Sequence, residues 1–132
     1  MKPPGTFPRF VIGIDLGATN CRAALFSPEG EMGNRLERRF SPAGERDKEE
    51  KALLQLLDDL LEGERKERLL AVGIGSFGPL DLERNRILEA PNRPAWQNVP
   101  LRSLVEKHLS VPVFLENDGN VAALGEYRRG AG

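Results

Sequence analysis

Two aspartates of this 132-residue chain stand in stretches whose residue types could do chemistry. The first is Asp15, in Ile14-Asp15-Leu16-Gly17-Ala18-Thr19-Asn20. A carboxylate is followed by a small-residue turn, then by a hydroxyl and an amide. Gly17 lets the backbone turn tightly and come close to a ligand. Successive N–H groups in such a turn, Ala18 included, form a concave anion site. Thr19 and Asn20 add side-chain hydrogen bonds. A carboxylate facing an anion nest makes sense with Mg²⁺ between them, because a hard cation takes oxygen ligands and joins a carboxylate to nucleotide phosphates. The competing reading is a strand that ends in an Asx-type turn.

The second is Asp118, in Leu115-Glu116-Asn117-Asp118-Gly119-Asn120. It falls where an apolar run meets a helical pattern. There it reads either as a helix N-cap or as a base that accepts a hydroxyl proton while a phosphoryl group arrives. Phosphoryl transfer needs positioning more than covalent chemistry, so one carboxylate aligned on the acceptor hydroxyl suffices. Asn117 would hold a neighbouring hydroxyl.

Between the two lie weaker signals. Gly73-Ile74-Gly75-Ser76-Phe77-Gly78 matches G-x-G-x-x-G in form. A dinucleotide fingerprint needs glycines that open a helix, and here Pro79-Leu80-Asp81 follows without helical periodicity, so that reading is rejected. What stands is a sharply turning strand end, or a backbone wall for a flat substrate. Asn92, in Ala90-Pro91-Asn92, offers a donor and an acceptor suited to adjacent sugar hydroxyls, or simply forms a turn. Trp96 reads as packing. His108, the only histidine, sits near a helix C-terminus, where a cation is favourable. Cys21 reads as a buried apolar residue.

The elements that must position these residues follow from hydrophobic spacing. Residues 1–8 are rich in Pro and Gly and read as a flexible tail. Arg9 to Ile14 is a buried strand, Cys21 to Phe26 a second, and Met32, Leu36 and Phe40 mark a half-exposed third. Their short connections imply antiparallel hairpins. Lys51 to Leu61 is a helix with Leu53, Leu56, Leu57 and Leu60 on one face. Leu69 to Ile74 is a buried strand and Arg86 to Glu89 a short one. Leu101 to Leu109 is a helix, Val111 to Leu115 a strand, and Gly119 to Tyr127 a small-residue helix. The order β-β-β-α-β-α-β-α is α/β. Three antiparallel strands come first, then strands that add in parallel through helical crossovers. Such a sheet gathers ligands at the carboxyl ends of its strands, where Asp15 falls.

Composition narrows the function classes. The chain is 39% hydrophobic and 30% charged, with net charge −1, which is ordinary for a globular domain. The charge and the lack of a basic block argue against nucleic acid and anionic membrane as partners. No apolar run is long enough to span a bilayer, and a cytoplasmic location is the default. One cysteine excludes a disulfide framework and an internal cysteine-based zinc cluster.

Taken together, Ile14 to Asn20, Gly73 to Pro79, Ala90-Pro91-Asn92 with Trp96, and Glu116 to Glu126 resemble the ROK family of sugar kinases and repressors. The resemblance runs from Phe10 onward. It implies the ribonuclease H-like lobe of actin-like and hexokinase-like ATPases, with residues 9–132 as the amino-terminal lobe. It implies that Asp15, Gly17, Ala18, Thr19 and Asn20 bind ATP phosphates and magnesium. It also implies that Gly78, Asn92, Asn117 and Asp118 contact a hexose, with Asp118 as catalytic base. The family commonly has two glycines where this chain has Gly17-Ala18; alanine keeps the N–H. ROK kinases are about twice this length, and their second lobe carries the adenine site, further sugar-binding residues and a His/Cys zinc site. The expected activity is therefore hexose phosphorylation once a second lobe completes the cleft, with no zinc site in this chain; the lobe by itself is expected to self-associate as a homo-oligomer through the apolar surface that a second lobe would cover. The alternative is a non-catalytic sugar-sensing or interaction module of the same ancestry.

Overall fold

The computed structural model describes residues 5–17, 20–39, 46–76, 80–81, 86–87 and 100–116, and of residues 46, 76, 80–81, 86–87 and 116 the backbone alone. The chain opens with three strands, β1 (Phe10–Leu16), β2 (Asn20–Phe26) and β3 (Met32–Arg39). Helix α1 (Arg46–Leu60) and a 3-10 turn (Lys66–Arg68) lead to β4 (Leu69–Ser76). A small hairpin of β5 (Leu80–Asp81) and β6 (Arg86–Ile87) stands apart as its own two-stranded sheet. Helix α2 (Leu101–Leu109) and β7 (Val113–Glu116) follow.

The main sheet has the order β3-β2-β1-β4-β7. The pairs β1–β2 and β2–β3 are antiparallel, and β1–β4 and β4–β7 are parallel. Antiparallel hairpins come first and parallel strands are added through helices, as the spacing of apolar residues implies. The expected helix over Gly119 to Tyr127 lies outside the described residues.

Strand alternation divides the sheet into two faces. On one, Phe10, Ile12, Ile14, Leu16, Cys21, Ala23, Leu25, Val72 and Ile74 pack with Leu53, Leu56, Leu57 and Leu60 of α1 and with Leu101, Val105 and Leu109 of α2. Both helices therefore cover the same face. Their apolar residues recur at helical spacing, so each buries one stripe. A hydrogen bond of 2.8 Å between His108 Nε2 and Asp58 Oδ1 ties the two helices together. Arg38 on β3 bonds Asp59 of α1 at 3.2 Å.

Several boundaries differ from the sequence reading. Strand β1 runs on through Asp15 to Leu16, held extended by pairing on both sides, with β2 and β4. Helix α1 begins at Arg46, about two turns before its first leucine, Leu53. Phe7 falls in the stretch read as a tail, yet it is buried in the main core. Gly33 makes room for it: a Cβ there would lie 2.6 Å from Cε2 of the Phe7 ring. The Gly5 N–H donates to Glu64 Oε1 at 2.9 Å. Helix α2 has the range its pattern implies. It closes on Ser110 in the left-handed conformation (φ 58°), whose N–H donates to the Glu106 carbonyl at 2.8 Å.

Candidate functional site

The parallel strands β1, β4 and β7 all run toward one edge of the sheet, and their register aligns a row of residues there. Asp15 pairs with Gly75 of β4 on one side and with Arg22 of β2 on the other. Gly75 in turn pairs with Glu116 of β7, and Arg22 with Glu37 of β3. Strands lie about 4.8 Å apart, so the backbone of Glu116 is about 10 Å from that of Asp15. Asn117 and Asp118 follow Glu116 directly in sequence and lie outside the described residues.

Asp15 points away from the helices and is exposed. Among the described residues its carboxylate makes no hydrogen bond or ion pair. The β1–β2 connection is a tight turn closed by the Gly17 N–H, which donates to the Asn20 carbonyl at 2.8 Å. A Cβ on Gly17 would meet that carbonyl oxygen at 3.0 Å, so the tightness of the turn favours glycine. Asn20 opens β2, and its Oδ1 is buried without a hydrogen-bond donor among the described residues. An orphaned buried acceptor costs about 1–3 kcal/mol, which a ligand donor or cation would relieve.

These features fit a hard cation beside phosphate. Asp15 supplies a free carboxylate, and Asn20 supplies an unsatisfied oxygen one turn away. Among the described residues no group of three or more His, Cys, Asp or Glu side chains gathers in one place. Mg²⁺ keeps waters and phosphate oxygens in its shell and needs only one or two carboxylates, so Asp15 and Asn20 are the residues that would hold it.

Beside Asp15, on the same face, lies a shallow depression of about 430 Å³ whose walls include Gly13, Asp15, Arg22, Arg35 and Glu37. The glycine at 13 and Ala24 make its floor low, and the charged residues form its rim. Arg22 and Glu37 were not singled out by sequence reasoning. The signal was available: a hairpin closing between Gly17 and Asn20 puts residue 22 opposite residue 15.

Of the residues expected in the site, the structure brings Asp15, Gly17 and Asn20 together at the hairpin. Ala18, Thr19, Gly78, Asn92, Asn117 and Asp118 lie outside the described residues. His108 is engaged between the helices, remote from Asp15 in the fold's layers, and Cys21 is buried in the core. Among the described residues no helix is long and apolar enough to cross a membrane.

Comparison with known proteins places the chain in a family. A family model described as "ROK family" matches residues 11–132. The glucokinase of Thermotoga maritima is 38% identical over 122 residues, covering 92% of this chain and 38% of that protein. The xylose repressor of Caldicellulosiruptor bescii is 41% identical over 122 residues, covering 88% of this chain and 29% of the repressor. Among solved structures, a ROK family glucokinase from Streptomyces griseus in complex with glucose and AMPPNP superposes with a TM-score of 0.71 at 34% identity. That match covers 90% of this chain and 36% of the glucokinase. The chain thus spans little more than a third of the kinases it matches.

Proposed function

The chain belongs to the ROK family, and on that premise we propose that residues 9–132 are the amino-terminal lobe of a hexose kinase that uses ATP and Mg²⁺. The observation that carries this reading is Asp15. An exposed carboxylate with no partner among the described residues stands at the carboxyl edge of the sheet, beside a glycine turn and an orphaned amide oxygen.

In the proposed mechanism, Asp15 orients the metal, directly or through water, and the turn from Gly17 through Ala18 and Thr19 to Asn20 holds the phosphates by backbone N–H and side-chain groups. Bound Mg²⁺ would offset phosphate charge and fix the nucleotide's geometry. Gly78, Asn92 and Asn117 position the sugar. Asp118 accepts the proton of the attacking hydroxyl as its oxygen bonds to the γ-phosphorus and ADP departs. Closure against a second lobe excludes water, which would otherwise compete with the sugar for the phosphoryl group. Glucose is the first substrate to assay, because relatives of this chain are glucokinases. A soluble, cytoplasmic enzyme of carbohydrate metabolism is the matching cellular role.

A second reading has its own support. The xylose repressor relative is 41% identical, so a sugar-sensing module without turnover is the alternative. Asp118→Asn in the full-length protein separates the two. The amide keeps the shape and can still hydrogen-bond the hydroxyl, but it cannot take the proton. The kinase reading expects kcat to fall about 10²–10⁴-fold with a much smaller change in sugar KM. Sugar binding without ATP-dependent phosphorylation by the parent protein would favour the sensing module. A parental kcat in the variant would make Asp118 a helix cap.

A further inference from the structure

Arg22 stands between two carboxylates. Asp15 on β1 and Glu37 on β3 are its direct cross-strand partners on the same face of the sheet. Directly opposite residues have Cβ atoms about 5 Å apart, so an arginine side chain can reach either neighbour. In the structure Arg22 leans one way: its Nε lies 3.5 Å from Glu37 Oε2. Asp15 is left without an ion pair among the described residues. The side chains of Arg22 and Glu37 are 65% and 51% exposed, and a pair so exposed adds little to folding. Its effect is on where the guanidinium sits.

We infer that Glu37 is a positioning residue that draws the Arg22 guanidinium toward the edge strand and so keeps the Asp15 carboxylate open to a divalent cation. The inference rests on the metal role proposed for Asp15. Without Glu37, Asp15 is the cross-strand carboxylate left to Arg22 among the described residues. An Arg–carboxylate pair occupies both acceptor oxygens in a fork, and a cation would then have to displace it. The edge strand, which carries no part of the phosphate turn, thereby sets how much negative charge that turn presents. No bond is made or broken in this device; a single side chain has two resting places.

The test is Mn²⁺ binding to the full-length protein with a non-hydrolysable ATP analogue, followed by the electron spin resonance of free Mn²⁺. Glu37→Gln is expected to weaken Mn²⁺ binding about two- to fivefold, the range of an exposed ion pair. Glu37→Asp should recover most of that loss. Arg22→Gln alone should leave binding at or above the parental level, and Arg22→Gln combined with Glu37→Gln should restore it. All are exposed positions, and thermal melting should be unchanged. Equal weakening by Glu37→Gln with and without Arg22 would reduce Glu37 to a distant field effect and overturn the inference. Weakening by Arg22→Gln alone would make Arg22 a phosphate ligand and overturn it too. Asp15→Asn separates the levels. If it weakens Mn²⁺ binding while Glu37→Gln does not, only this inference fails. If Asp15→Asn changes nothing, the metal role of Asp15 fails and this inference falls with it.

Discussion

On the helix-covered face of the sheet, β1 presents Phe10, Ile12, Ile14 and Leu16, each at most 1% exposed. On the opposite face the same strand presents Val11, Gly13 and Asp15. Strand β2 repeats the division, with Cys21, Ala23 and Leu25 toward the helices and Arg22, Ala24 and Phe26 away from them. One face is filled with large apolar side chains from the sheet and from the two helices that cover it. The other becomes smaller and more polar toward the carboxyl edge, from Val11 and Phe26 through Gly13 and Ala24 to Asp15 and Arg22. Alternate residues of one strand therefore do separate work. On the opposite face Val11 is held in a small apolar cluster with Ala24, Phe26 and Ala71, and the polar chemistry is confined to the carboxyl end at Asp15.

The separation can be broken most forcefully from the helix side. Leu57 of α1 is fully buried against the sheet. Leu57→Ala is expected to cost about 2–5 kcal/mol of stability, read by urea unfolding, while Mn²⁺ affinity of the folded protein stays parental. A change in affinity without a loss of stability would mean that the two faces are coupled. Asp15→Asn is the converse. It should lower metal affinity about 10–100-fold, the scale seen for groups that orient a metal. As an exposed substitution outside the core it should move stability by no more than about 0.5 kcal/mol. The smallest effect is expected at His108→Ala, which removes one hydrogen bond between the helices at their outer surface. A loss of about 0.5–1.5 kcal/mol, with a double-mutant cycle through Asp58→Ala to isolate the pair, would sharpen the view that the helix layer is purely structural.

Legibility in the sequence followed the same division. Helix α2 was readable in full because Leu101, Leu104, Val105 and Leu109 mark one stripe. Helix α1 was readable only from its first leucines, because Arg46 to Glu50 carry charge and no apolar period. The hairpin of β5 and β6 has two residues per strand, too few to show alternation, and only its second strand was anticipated. Phe7 was hidden by its Pro- and Gly-rich neighbours; its burial depends on a vacancy at Gly33, which is far from it in sequence. In the site, Asp15, Gly17 and Asn20 stood out because a carboxylate, a glycine and an amide in one short turn have few bland explanations. Arg22 and Glu37 did not, since a charge on a half-exposed strand has many. Only the register, which pairs residue 22 with both 15 and 37, gives them meaning.

The placement of β1 beside β4 also has a consequence in time. Residues 17–68 separate the two strands along the chain, and at synthesis rates of about 5–20 residues per second roughly 3–10 s pass between their appearances. During that interval β1 can pair with β2 through its short turn, a contact that is local and fast. Its other edge, bordering the apolar run Phe10 to Ile14, has no neighbour until β4 is made. An open edge of that composition is a template for pairing with other chains. The strand that anchors the candidate site is thus open to misassembly on the ribosome during that interval, and the site's carboxyl edge exists only after the central parallel pair has closed.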